Sequence, residues 1–117
     1  MIDIYTKAEL DKNIMGNKDS VIMLLFSATW CSPCKKLKNR LLNPDELKKL
    51  PKLLVLYIDT DTEDEELKTI MNNYNVINVP TQIFIKLDNN NIKIVDKIIG
   101  SDWIKLQMIY NSYNLHN

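Results

Sequence analysis

Apolar residues gather in two unbroken runs, Val21 to Ser27 (VIMLLFS) and Leu53 to Ile58 (LLVLYI). Runs without alternation suit parallel strands covered on both faces; a buried helix could give the same pattern, but their shortness favours strands. Between them the period changes. Leu37, Leu41 and Leu42 recur at helical spacing with Lys35, Lys36, Lys38 and Arg40 on the other faces. This predicts a helix from Cys34 to Leu42, stopped or kinked at Asn43-Pro44. Upstream, Ile2 to Tyr5 reads as a short strand, and Thr6 followed by Glu9 is a capping-box signature for a helix through Met15. Thr62, followed by acidic Glu63, Asp64 and Glu65, predicts the cap of a crossover helix to Tyr74, with Leu67, Ile70 and Met71 facing inward. In the last third, TQIFIKL and IKIVDKII flank the turn Asp88-Asn89-Asn90-Asn91 as a β-hairpin. Ser101 then caps a final helix bearing Trp103, Leu106, Ile109, Tyr110 and Tyr113. The order βαβαβα followed by ββα predicts an α/β fold: a mixed central sheet, parallel first and closed by an antiparallel hairpin, with helices on both faces. Ligand chemistry then belongs at the carboxyl ends of the parallel strands.

No repeat or linker divides the chain, and 117 residues with 45% apolar content suit a single domain over residues 1–117. Lysine plus arginine number 15 and aspartate plus glutamate 15, so no net field steers the chain toward nucleic acid or an anionic membrane. No apolar run approaches the ~18 to 20 residues of a bilayer span, and MIDIYTKAEL has no signal-peptide character. The expected location is cytoplasmic, where thiols stay reduced and a persistent structural disulfide is out of place. The asparagines of DNNN and MNNYN fall where turns are expected and require no functional tract.

That makes the only two cysteines, Cys31 and Cys34 in WCSPC, the candidate chemistry. Four-coordinate zinc would need two further ligands, and the chain offers no third cysteine and one histidine, His116, beside the C-terminus. A Cys-His hydrolase would need that same histidine aimed at the nucleophile. Neither metal nor cofactor is expected; a redox dithiol remains. Cys31 opens a helix, where unpaired N–H groups favour thiolate and mark it as the nucleophile. Cys34 lies one turn along, with Cβ atoms about 5 to 6 Å apart before adjustment, and a small rotation reaches disulfide geometry. Pro33 fits the first turn, while Lys35 and Lys36 either support the dithiol by charge or form a solvated face.

FSATWCSPCKK resembles the active-site segment of thioredoxins, commonly Trp-Cys-Gly-Pro-Cys-Lys, and NVPT (Asn78 to Thr81) resembles their Ile/Val-Pro-Thr loop. YIDTD, Tyr74 and Gly100 extend the likeness over nearly the whole chain. The resemblance implies a thioredoxin fold and a thiol-disulfide oxidoreductase that reduces protein disulfides, with Cys31 attacking and Cys34 resolving. It implies a cis Val79-Pro80 bond opposite Cys31, and a partner surface of Trp30, Ser32, Pro33, Val79, Pro80 and Gly100. Asp59 would accept the indole N–H of Trp30. The implied partners are disulfide-containing proteins and an electron donor, either a reductase or a small thiol, with the chain acting as a monomer.

There are departures. Leu25 stands where the family carries a buried aspartate that helps deprotonate the second cysteine, and Val55 where it carries the accompanying lysine. Their joint loss is physically coherent, because one buried ion without its partner is strongly destabilising. Resolution by Cys34 is therefore expected to be slow. Ser32, Ser27, Asn39 and Asn78 replace a glycine, a tryptophan, a proline and a glycine. Two alternatives stand beside the reductase: a partner-binding module without turnover, against which both retained cysteines argue, and a glutathione-dependent glutaredoxin-like enzyme, which Trp30 and Ser32-Pro33 match less well.

Overall fold

The computed structural model describes residues 1–114. In chain order the elements are β1 (Ile2–Ile4), α1 (Lys7–Met15), β2 (Val21–Ser27), α2 (Ser32–Leu41), α3 (Pro44–Leu47) and β3 (Leu53–Asp59). Then follow α4 (Glu65–Asn73), β4 (Thr81–Asp88), β5 (Asn91–Ile99) and α5 (Trp103–Asn114). One five-stranded sheet has the order β1-β3-β2-β4-β5. The first three strands run parallel, and β4 pairs antiparallel with both β2 and β5. This is the mixed α/β sheet the residue pattern predicts.

The central place of β2 explains its unbroken apolar run: all seven residues are buried because both faces are covered. Ile22, Leu24 and Phe26 pack with Leu10 and Ile14 of α1 and Leu67 and Met71 of α4. Met23 and Leu25 pack with Leu37 and Leu41 of α2 and Leu106, Ile109 and Tyr110 of α5. Leu25 and Val55 share that second cluster, so the two positions where charge could have been buried are ordinary core. The Tyr110 hydroxyl donates to the Pro51 carbonyl, fixing α5 across the start of β3.

Helix starts are where pattern and structure part. Thr6 caps α1 as expected, accepting from Glu9 N at 3.2 Å. Thr62 does not cap α4: its hydroxyl reaches only Asp64 N, at 3.1 Å, whereas the Asp64 carboxylate reaches Leu67 N at 2.9 Å, so the helix begins at Glu65. Ser101 likewise yields to Asp102, whose side chain accepts from Lys105 N at 3.0 Å. In both places the carboxylate nearer the first turn satisfies a free N–H that the hydroxyl cannot reach. Helix α2 begins earlier than its leucine period, at Ser32, and ends before Leu42, which is 50% exposed. Asn43 and Pro44 then start α3, a single turn too short to give a period. The hairpin turn holds Asn89 and Asn90 at φ 51° and 66°, the left-handed conformation that two-residue primed turns require. Among the described residues no helix is long and apolar enough to cross a membrane.

Candidate active site

The site forms where β2 ends at the carboxyl edge of the sheet. Cys31 is the N-cap of α2, in extended conformation (φ −91°, ψ 116°), and its Sγ accepts from Cys34 N at 3.3 Å. Pro33 sits in the first turn, where its missing N–H costs nothing. Both cysteines are free thiols. Cys31 is 6% exposed and Cys34 1%, so Cys31 carries the outer sulfur. The Cys31 thiol donates toward the Val79 carbonyl at 3.7 Å, across 48 residues of sequence, and the Val79-Pro80 bond is cis, as the resemblance implied.

The proline loop is fixed from three directions. Helix α4 closes with Asn75 at φ 54°, and Val76 N returns to Met71 O at 2.9 Å, the bond pattern of a Schellman end. The Lys97 ammonium on β5 donates to the carbonyls of Tyr74 and Asn75, each at 3.1 Å, placing a cation at the negative helix terminus. Gly100 N donates to Pro80 O at 2.8 Å, with Gly100 at φ 87°, a conformation that favours glycine. The Gly100 carbonyl is held in turn by Gln82 Nε2 at 3.0 Å. Gln82 is fully buried, and its Oε1 has no partner. Sequence reasoning passed over it; a glutamine inside an otherwise apolar run was the available signal.

Trp30 is 68% exposed, so it is no core residue. Its indole Nε1 donates to Asp61 Oδ2 at 2.9 Å, which corrects the expectation that Asp59 receives it. Asp59 is the last residue of β3 and sits beside Ser27 in the ladder, whereas Asp61 lies in the turn beyond the strand end. Asp59 acts one step removed, its Oδ1 accepting from Asp61 N at 2.9 Å. Ser32, Pro33 and Lys35 are exposed around the dithiol, and Pro80 is buried beneath Val79. Two exposed isoleucines flank the loop without having been singled out from sequence, Ile77 (85%) and Ile99 (63%). Between Trp30 and the proline loop a groove of about 370 Å³ is lined by Trp30, Thr60, Lys68, Asn72, Ile77 and Val79.

Burial pushes the Cys34 thiol pKa above its ordinary value, and its hydrogen bond with Cys31 adds to that; the Ser27 hydroxyl and the Ala28 backbone pull the other way. The outer sulfur can therefore react first while the inner one holds its proton. No group of three or more His, Cys, Asp or Glu is placed to hold a metal ion among the described residues, and His116 lies outside them.

A thioredoxin family model matches residues 1–107. The chain is 36% identical over 109 residues to a thioredoxin H-type of Ricinus communis, covering 92% of this chain and 84% of that one. It is 31% identical over 109 residues to the thiol:disulfide interchange protein DsbD of Haemophilus influenzae. That match covers 87% of this chain but 19% of the relative, so the chain spans about a fifth of its length. Among solved structures, Fasciola hepatica thioredoxin superposes with a TM-score of 0.77 at 30% identity, covering 96% of this chain and 98% of that one.

Proposed function

The chain belongs to the thioredoxin family, and from that premise we propose that it reduces protein disulfides through a reversible Cys31–Cys34 dithiol/disulfide cycle. The observation that carries this reading is the position of the Cys31 sulfur. It caps α2 against Cys34 N and lies 3.7 Å from the carbonyl of the proline loop. The Cys31 thiolate attacks one sulfur of a substrate disulfide; that S–S bond breaks and its electron pair leaves on the other sulfur. An extended substrate segment lies along the Val79 backbone, with Trp30, Ser32, Pro33, Pro80 and Gly100 as its apolar surround. Cys34 then attacks the Cys31 sulfur, the second substrate thiol departs, and the chain is left oxidised by two electrons. A reductase or small thiol returns them. Lys35 supports the dithiol by charge. Ionisation of Cys34 opposed by burial, with no acid at position 25, makes resolution the slow step. A monomer of residues 1–117, folded as one domain, suffices for the cycle, and a cytoplasmic location suits it because thiol pools there stay reducing.

The test is thiol release from a disulfide-bonded protein substrate. Cys31→Ser should abolish it, and Cys34→Ser should stop after one attack, holding substrate covalently on Cys31 in equimolar amount. Reduction by Cys31→Ser at the wild-type rate sinks the proposal.

A further inference from the structure

Before it attacks, Cys34 must lose a proton, and the cycle above leaves its destination open. The inner sulfur is 1% exposed, and Leu25 offers no acid. Three observations converge on one side of it. The last rung of the β2–β3 ladder pairs Ser27 with Asp59, and in-register neighbours of a parallel pair project to the same face of the sheet. That face is the one under α2, since Leu25 and Tyr57, the pair one step earlier on it, both pack in the α2–α5 cluster. Ser27 is 1% exposed and stands in the same cavity wall as Cys34. Finally, a cavity of about 220 Å³ that includes Ser27 and Cys34 in its wall shares Thr29, Lys38 and Tyr57 with an outer cavity of about 200 Å³ walled by Asp59. Each carries polar groups in its wall, Ser27 and Lys38 in the first and Asp59 and Lys38 in the second, and each has room for several waters at ~30 Å³ apiece.

We infer that Ser27 and Asp59 form a proton relay for Cys34, with water in the two adjoining cavities as the carrier. The inference rests on the dithiol cycle proposed above. The Cys34 proton passes to a cavity water oriented by the Ser27 hydroxyl, and from it to the Asp59 carboxylate, which becomes the acid and later returns the proton to solvent. The freed sulfur electron pair forms the Cys34–Cys31 bond while the bond from Cys31 to the substrate sulfur breaks toward the substrate. Asp59 Oδ1 is engaged by Asp61 N, which leaves its other oxygen for the cavity. The charged and titratable groups around the path are Cys31, Lys35 and Lys38 from α2 and its cap, Tyr57 from β3, Asp61 in the turn beyond β3, Asp3 from β1 and Tyr5 just after it. Lys38 Nζ stands 4.5 Å from the centre of the Tyr57 ring, in the wall common to both cavities.

Stopped-flow measurement separates Cys31 attack from Cys34 resolution on each sample, the first step serving as reference. General acid-base groups contribute about 10²- to 10⁴-fold, so Asp59→Asn, which keeps the acceptor for Asp61 N, should slow resolution relative to attack at least about tenfold. The pH profile of that step should move to the alkaline side, Asp59→Glu should restore most of the rate, and added imidazole should accelerate Asp59→Asn in proportion to its concentration. Ser27→Ala should slow the same step; if it fails to fold, Asp59→Asn decides alone. Resolution by Asp59→Asn at the wild-type rate and pH profile overturns the relay and leaves the dithiol cycle standing. A wild-type chain that forms no mixed disulfide overturns both.

Discussion

Gln82→Met exchanges a buried carboxamide for an apolar side chain of nearly the same length and tests what the glutamine is for. In the native chain Gln82 is fully buried; its Nε2 holds the Gly100 carbonyl at 3.0 Å while its Oε1 is unpartnered. Removing an unsatisfied buried acceptor recovers about 1 to 3 kcal/mol, and losing one neutral hydrogen bond costs about 0.5 to 1.5 kcal/mol. Gly100 is only partly buried, so its carbonyl can turn to water. The balance is a stabilisation of about 1 kcal/mol, which an unfolding entropy of about 2.1 cal/mol/K per residue over 117 residues converts to a rise in Tm of about 4 °C. The same change frees Gly100, whose N–H steadies Pro80, so the variant should be sturdier yet dock substrate less well, with KM raised several-fold and kcat less affected. Thermal unfolding of the reduced protein, followed by circular dichroism alongside steady-state reduction of a protein disulfide, reads both. A Tm lowered by more than about 4 °C refutes the reasoning, because the tether would then outweigh the orphan oxygen.

Two further outcomes follow from the same geometry. Asp61→Ala should shift the indole N–H resonance of Trp30 and speed its exchange with solvent, whereas Asp59→Asn should perturb it less; Asp61 and Trp30 are exposed, so the stability cost of losing their bond stays below about 1 kcal/mol. An unmoved indole resonance in Asp61→Ala contradicts the assignment. Burial raises the Cys34 thiol above its ordinary 9.0, so in alkali the unfolded reduced chain gives up that proton before the folded one does. The stabilisation is complete below the ordinary value and is lost as pH rises through the folded one. The disulfide form carries no such proton, so the Tm gap between oxidised and reduced protein should widen from about pH 8 to 10. Tyr74, Tyr110 and Tyr113, raised by burial from 10.0, act on both forms alike and do not change the gap. A gap constant across that range contradicts the burial of Cys34.

What the sequence makes legible depends on how many neighbours enforce it. Strand β2 is readable because both faces are covered, and the leucines of α2 because they meet that cover; the dithiol is readable because two cysteines at this spacing have few other uses. Helix starts are less so. Thr62, Asp64, Ser101 and Asp102 are all competent caps by residue type, and only the path of the incoming chain decides which oxygen reaches a free N–H. The exchange of Asp61 for Asp59 has the same origin: two carboxylates two residues apart straddle the end of a strand, one staying with the ladder and one turning toward Trp30. Gln82 escaped notice because its partners, Gly100 and through it Pro80, become neighbours only once β4 and β5 have paired.

The grip of Lys97 on the end of α4 separates two kinds of change that a redox protein can undergo. On the proposed cycle electron chemistry resides in one turn of one helix, while the contour that would select a guest is braced from the edge strand β5. On that reading, variants made at the bench that alter the brace should change which clients dock while both cysteines stay in place on α2.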